Sequence, residues 1–259
     1  MNKLGKSALG VSLAAIWSFG APLFRLYELD APRANPSALA EVGAANMRGS
    51  IASENGTLAM FLAQNAPLAQ NADENASAQT TRDSQNLVLE IYADETAAAA
   101  HVAGANFAIY AKFAAENGVE TKAFEVAPKF AREVSNLNDL LGSQNVVLYR
   151  QIELKRDDFA EFAPALVARI KREFDGDNSN LNAASPLAIY AFTLAKEPLK
   201  WKIFEIYANE ASLAAHEKSQ PWGAFVLKIS QMVEKSTSDV LSLAAGASKN
   251  GLNFNIFAR

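Results

Sequence analysis

Two sets of residues suited to proton transfer recur at one spacing. Glu90, Tyr92 and His101 lie in L-E-I-Y-A-D-E-T-A-A-A-A-H (Leu89–His101), and Glu205, Tyr207 and His216 lie in F-E-I-Y-A-N-E-A-S-L-A-A-H (Phe204–His216). The chain has two histidines, and each follows its Glu by eleven residues and its Tyr by nine. A Glu and a Tyr two apart on a strand share a face, and a His on the next helix can stand above them. A His or a desolvated Glu can titrate near working pH and act as general base. A Tyr hydroxyl can orient a substrate oxygen. The same residues have plain structural uses: a strand Glu as cross-strand ion-pair partner, a helix His fixing packing through one hydrogen bond. Duplication copies either role. With no Cys and no H-x-x-x-H or H-x-H pair, no metal is expected. Glycine-rich phosphate loops and a G-x-S-x-G nucleophile elbow are also missing from the sequence.

The elements that must position these residues repeat as well. L-F-R-L-Y-E-L (Leu23–Leu29) matches L-Y-R-Q-I-E-L (Leu148–Leu154), and Gly56–Phe61 matches Ser185–Tyr190. Short β-favouring apolar runs predict strands at Leu23–Leu29, Leu58–Leu62 and Leu87–Tyr92, and at Val146–Leu154, Leu187–Leu194 and Trp201–Tyr207. Helices are predicted over Pro36–Arg48 and Asp157–Phe174. In the latter, Phe159, Phe162, Leu166 and Ile170 recur at spacings of three and four. Asp94 and Asn209 are N-cap residues for two further helices, with Glu95 and Glu210 in the first turns. These are expected to run unbroken through His101 and His216 to about Ala115 and Glu234. Ala123–Val126 and Asn253–Phe257 are candidates for a closing strand in each unit. The order β-α-β-β-α-β is ferredoxin-like, so the expected fold class is α+β. Two tandem units, residues 22–141 and 143–259, would pack sheet to sheet as an intrachain pseudo-dimer, and a monomer could then be complete. The first copy is longer, and its surplus falls in a polar, Asn- and Ala-rich insert at 64–86 that suits a solvated loop.

The N-terminus reads as an export signal. Lys3 and Lys6 precede an apolar stretch, and Ser18-Phe-Gly20 supplies small residues before a cut at Ala21. Residues 1–20 are therefore expected to be removed, leaving no stable membrane span and a periplasmic protein. Asp73-Glu-Asn-Ala-Ser77 carries an N-x-S triplet with an acid two residues before Asn75, the extended acceptor form of bacterial N-glycosylation. A net charge of −4 with both signs interspersed gives no basic surface for nucleic acid.

The motifs E-I-Y-A-D-E-x-x-x-A-A-H and E-I-Y-A-N-E-x-S-L-A-A-H-x-x-S, with Glu54-Asn-Gly-Thr-Leu58 ahead of the first, resemble the antibiotic biosynthesis monooxygenase (ABM) domain family. The resemblance implies a dimeric α+β barrel built within one chain. It also implies a cofactor-free monooxygenase acting with O2 on a quinol or small phenolic substrate. Other members of that family degrade haem, isomerise small molecules or have no known activity. The alternatives are therefore a non-catalytic small-molecule-binding or stress-related protein, or a cofactor-free isomerase or lyase. The haem-degrading branch is disfavoured, because no His follows His101 or His216 and the strand aromatic is Tyr; Trp222 and Phe107 read as core. Ser219 completes H-x-x-S after His216, and the first copy has Gly104 there. The catalytic set is therefore expected to be His216, Glu205 and Tyr207, with His101, Glu90 and Tyr92 as a secondary pocket.

Overall fold

In the computed structural model, residues 21–65, 86–155, 159–174 and 184–256 are described. The expected signal at 1–20 and the acceptor Asn75 lie outside them. The first half contains β1 (Leu23–Asp30), α1 (Pro36–Ser53), β2 (Thr57–Asn65), β3 (Asn86–Tyr92), α2 (Glu95–Val102), α3 (Ala105–Asn117), β4 (Glu120–Phe124), β5 (Val126–Glu133) and the short α4 (Leu137–Leu140). The second half contains β6 (Val146–Leu154), α5 (Phe159–Phe174), β7 (Ala188–Leu194), β8 (Glu197–Tyr207), α6 (Glu210–Glu217), α7 (Gln220–Ile229), β9 (Val233–Ser248) and β10 (Asn253–Asn255).

The strands form one antiparallel sheet in the order β10-β5-β7-β8-β6-β9-β2-β3-β1-β4. The edge strand β4 runs through Glu125 alone into β5, which lies next to the opposite edge strand, β10. β4 pairs β1 of its own half, and β5 pairs β7 of the other. β9 does the same in reverse: its first part pairs β6 and its second part pairs β2. The fold is thus an α+β barrel of two ferredoxin-like units that exchange the ends of their closing strands. Strand alternation puts Phe24, Leu26, Phe61, Tyr149, Tyr190, Phe192 and Phe204 into the barrel, all buried. Phe61 and Tyr190 hold the same place in β2 and β7 and meet with ring centres 5.3 Å apart. Outside the barrel, each half lays its helices on the opposite sheet face. The first-half layer holds Leu39, Met47, Met60, Leu62 and Val88.

Several expected boundaries move. The helix after each third strand breaks just past its His. Gly104 and Ser219 take extended conformations and start new helices, α3 and α7, and Ser219 Oγ accepts from Trp222 N. The second of these helices ends at Ile229, short of Glu234, which already belongs to β9. The closing strand of the second unit is β9. The expected strand at Asn253 is only three residues long and edges β5. Helix α1 continues past Arg48 to Ser53. The match of Leu23–Leu29 to Leu148–Leu154 slips by two residues. Arg25 lies opposite Glu90 in the sheet, whereas Leu148 lies opposite Glu205, so Arg25 corresponds to Leu148 and Tyr27 to Arg150. A two-residue slip keeps every side chain on its face, so apolar alternation cannot reveal it.

Candidate functional site

Each third strand presents its Glu and Tyr to the helix layer. Tyr92 Oη donates to Glu90 Oε2 at 2.7 Å, and Tyr207 Oη donates to Glu205 Oε2 at 2.9 Å. His101 and His216 lie in the last turns of α2 and α6, against those Tyr rings, at 5.7 and 5.3 Å between centres. Both expected constellations are therefore assembled, and their surroundings then differ.

In the second half the site is filled with charge. Arg169 of α5 is fully buried, with Nη1 2.7 Å from Glu205 Oε1 and Nε donating to Glu173 Oε1 at 2.9 Å. Arg150 of β6 approaches Glu205 at 4.0 Å and lies 4.2 Å over the Trp222 ring. Burial pushes the Glu205 carboxyl up, but Arg169 and Arg150 outweigh it and hold it below the usual carboxylate range. Arg169 Nη2 lies 3.2 Å from His216 Nε2. A guanidinium only donates, so Nε2 accepts and its lone pair is occupied. Burial and the Arg169 charge lower the His216 pKa to about 4. His216 is therefore neutral at neutral pH and already engaged.

In the first half a cavity lies beside Glu90. Its volume is about 140 Å³, and its lining includes Tyr27, Asn46, Met47, Glu90, Phe107 and Tyr110. Matching burial along α1 (Leu39, Gly43, Asn46, Met47, Ser50) with that along α5 (Phe162, Leu166, Arg169, Ile170, Glu173) puts Gly43 opposite Leu166 and Asn46 opposite Arg169. With Tyr27 on the Arg150 position, both guanidinium groups that neutralise Glu205 are replaced by uncharged side chains. Glu90 is 9% exposed and, among the described residues, makes no ion pair. Burial raises its pKa, against the Tyr92 hydrogen bond and the weaker pull of His101 and Arg25. Arg25 itself bonds Glu95 at 2.6 Å on the surface. His101 is fully buried, with Nδ1 3.0 Å from Glu54 Oε2 and no partner at Nε2. Glu54 also accepts from Thr57 Oγ1 at 2.6 Å. Burial opposes the charge on Glu54, and the Thr57, Ser50 and His101 contacts together hold its pKa below the ordinary value.

The sequence reading placed the catalytic set in the second half; among the described residues, the cavity that reaches a Glu-Tyr pair is the one beside Glu90. It also missed Gly43, Asn46, Tyr27, Arg150 and Arg169. One signal was available. Arg169 interrupts the apolar stripe Phe162, Leu166, Ile170, where a charge must find a buried partner. Among the described residues no helix is long and apolar enough to cross a membrane.

No family model and no curated protein matches the chain. Solved structures do. A candidate monooxygenase from Lactobacillus acidophilus NCFM superposes with a TM-score of 0.73 at 16% identity, over 91% of this chain and 100% of its own. A candidate monooxygenase from Fusobacterium nucleatum subsp. nucleatum gives 0.74 at 16% identity, over 92% and 99%. A candidate antibiotic biosynthesis monooxygenase from Bacteroides thetaiotaomicron covers 44% of this chain at 21% identity, with a TM-score of only 0.33. The two full-length likenesses establish the fold: the chain has the tandem α+β barrel of proteins regarded as candidate monooxygenases.

Proposed function

We propose that the first-half cavity is the active site of a cofactor-free monooxygenase, that its substrate is a single-ring hydroquinone or phenol, and that Glu90 is its base. The observation carrying this reading is a buried carboxyl of raised pKa facing a ring-sized space. At about 140 Å³ the cavity resembles the roughly 150 Å³ apolar cavity that takes up benzene. A carboxyl titrating above its ordinary range can accept a proton at working pH and return it later. Glu90 removes the proton of a ring hydroxyl, and the resulting anion gives one electron to O2. The radical pair joins as a C–O bond, forming a ring hydroperoxide. Loss of water cleaves the O–O bond and leaves a new carbonyl. One oxygen atom enters the product, the other leaves as water, and the substrate supplies both electron pairs. Tyr92, hydrogen-bonded to Glu90 Oε2, holds the carboxyl's orientation. The base role expected for His216 passes to Glu90, because Arg169 occupies the His216 lone pair.

The test is oxygen uptake by metal-free protein with a panel of substituted hydroquinones. Uptake should be stoichiometric with quinone formed and should fall about 10²–10⁴-fold in Glu90→Gln. In Glu205→Gln the residual uptake per folded molecule should match wild type. Ring compounds that bind without oxygen uptake would leave a binding module of the same fold.

A further inference from the structure

The second half shows what fills this site when the protein supplies the filling itself. The Arg169 guanidinium lies on Glu205 at 2.7 Å, 4.7 Å from the Trp222 ring centre and 5.4 Å from that of Phe225. Each of these partners has a counterpart lining the first-half cavity: Glu90 for Glu205, Phe107 for Trp222, Tyr110 for Phe225. The carboxylate and the aromatic walls are kept. The two cations are gone, with Asn46 and Tyr27 in their places. A buried carboxylate without a cation is unfavourable, and a carboxylate beside aromatic faces attracts positive charge in two ways.

We propose that the first-half cavity binds a small planar cation, an amidinium, guanidinium or protonated ring nitrogen, placed on Glu90 against Phe107 and Tyr110 as Arg169 is placed on Glu205. A planar delocalised cation meets a carboxylate through parallel N–H bonds and is weakly enough hydrated to leave water. Arg25, the guanidinium whose charge pulls on Glu90, does not fill this role, because it is committed to Glu95 on the surface. The inference rests on the cavity named in the proposed function and not on the reaction assigned to it. A cationic ring and a phenolic substrate would meet the same carboxyl, and each should exclude the other.

The experiment is titration calorimetry of the full chain with benzamidine and with benzamide, its neutral counterpart of nearly the same shape. Benzamidine should bind about tenfold tighter or better, as a charge-assisted pair requires. In Glu90→Gln that preference should vanish while benzamide binding stays. Asn46→Arg installs the second half's own filling, so it should abolish binding of both compounds and raise the melting temperature. Equal affinities in the wild type, or a benzamidine preference that survives either substitution, would overturn the proposal. Neither compound carries a ring hydroxyl to oxidise, so the result is independent of oxygen uptake. Binding without oxidation would remove only the oxygenase reading, and oxidation without a benzamidine preference would remove only this one.

Discussion

Glu90 and Glu205 hold one position of the repeat, and their neighbours give them opposite physics. Glu90 has burial without a cation, so its protonated form is favoured in the fold. Its folded pKa lies above the unfolded value. The stability it contributes is therefore complete below the ordinary Glu pKa and is lost as pH rises through the folded value. Glu205 has Arg169 and Arg150, and its folded pKa lies below the unfolded one. Its contribution is present above the ordinary pKa and is lost as pH falls through the folded value. Glu90→Gln should therefore raise the melting temperature at neutral pH, with the gain shrinking as the pH is lowered toward the ordinary Glu pKa. Glu205→Gln should cost about 3–5 kcal/mol at neutral pH, because it removes one of the two carboxylates paired with the buried Arg169 and leaves only Glu173. Denaturant melts of both variants from pH 4 to 9 check this; matching shifts in the two variants would contradict the difference in neighbours. The sequence made the two constellations legible, down to the residues that touch. It did not tell them apart, because the deciding residues sit on α1, α5 and β1, β6. There the copies share no recognisable letters, or align two residues out of step.

The helices decide which half has room. Gly43 sits in the middle of α1, where glycine costs about 1 kcal/mol relative to Ala. A Cβ there would meet Leu62 Cδ2 at 3.3 Å, and Leu62 borders the cavity and has space to yield. The corresponding residue of α5 is Leu166, which is buried in the core. Glycine at 43 thus trades helix stability for open volume beside Glu90. Gly43→Ala should stabilise the protein by up to about 1 kcal/mol and weaken binding of any ring ligand. Gly43→Leu should close the cavity as Leu166 does in the other half. Thermal melts and calorimetry with one ligand measure both effects; unchanged affinity in Gly43→Leu would mean that the ligand sits elsewhere. A glycine inside an otherwise helical run was a visible signal, but its meaning depended on the partner strand. The breaks after His101 and His216 were less visible. In the first copy the alanine-rich run around His101 offers only Gly104, which a helix can also tolerate, whereas Ser219-Gln-Pro221 in the second copy spells an N-cap followed by an early Pro.

At the scale of the molecule, the repeat is legible as two units, but their exchange of strand ends is not. Apolar alternation says which face of a strand is buried and nothing about which strand lies beside it. β5 follows β4 with one residue between, yet pairs β7 across the molecule. The far end of β9 pairs β2. At that exchange Ser248 Oγ donates to Glu133 Oε2 at 2.7 Å, and Tyr190 Oη donates to Glu133 Oε1 at 2.6 Å. Glu133 thus finds both side-chain partners in the other half. Gly246 leaves room for Phe61, where a Cβ would come within 2.8 Å of the ring. Cutting the chain at Gly142 would strand β5 without β7 and bare β2 along the edge that β9 covers. It would also expose the aromatic face around Phe24, Phe61, Tyr190 and Phe204. Residues 21–142 and 143–259 expressed separately should therefore self-associate or precipitate. Expressed together they should form a one-to-one complex of the mass of residues 21–259, because every exchanged pairing can be restored in trans. Light scattering coupled to size exclusion reads the masses directly. Two fragments that are each soluble, folded and monomeric would show that the units stand alone and that the exchange contributes little to the fold.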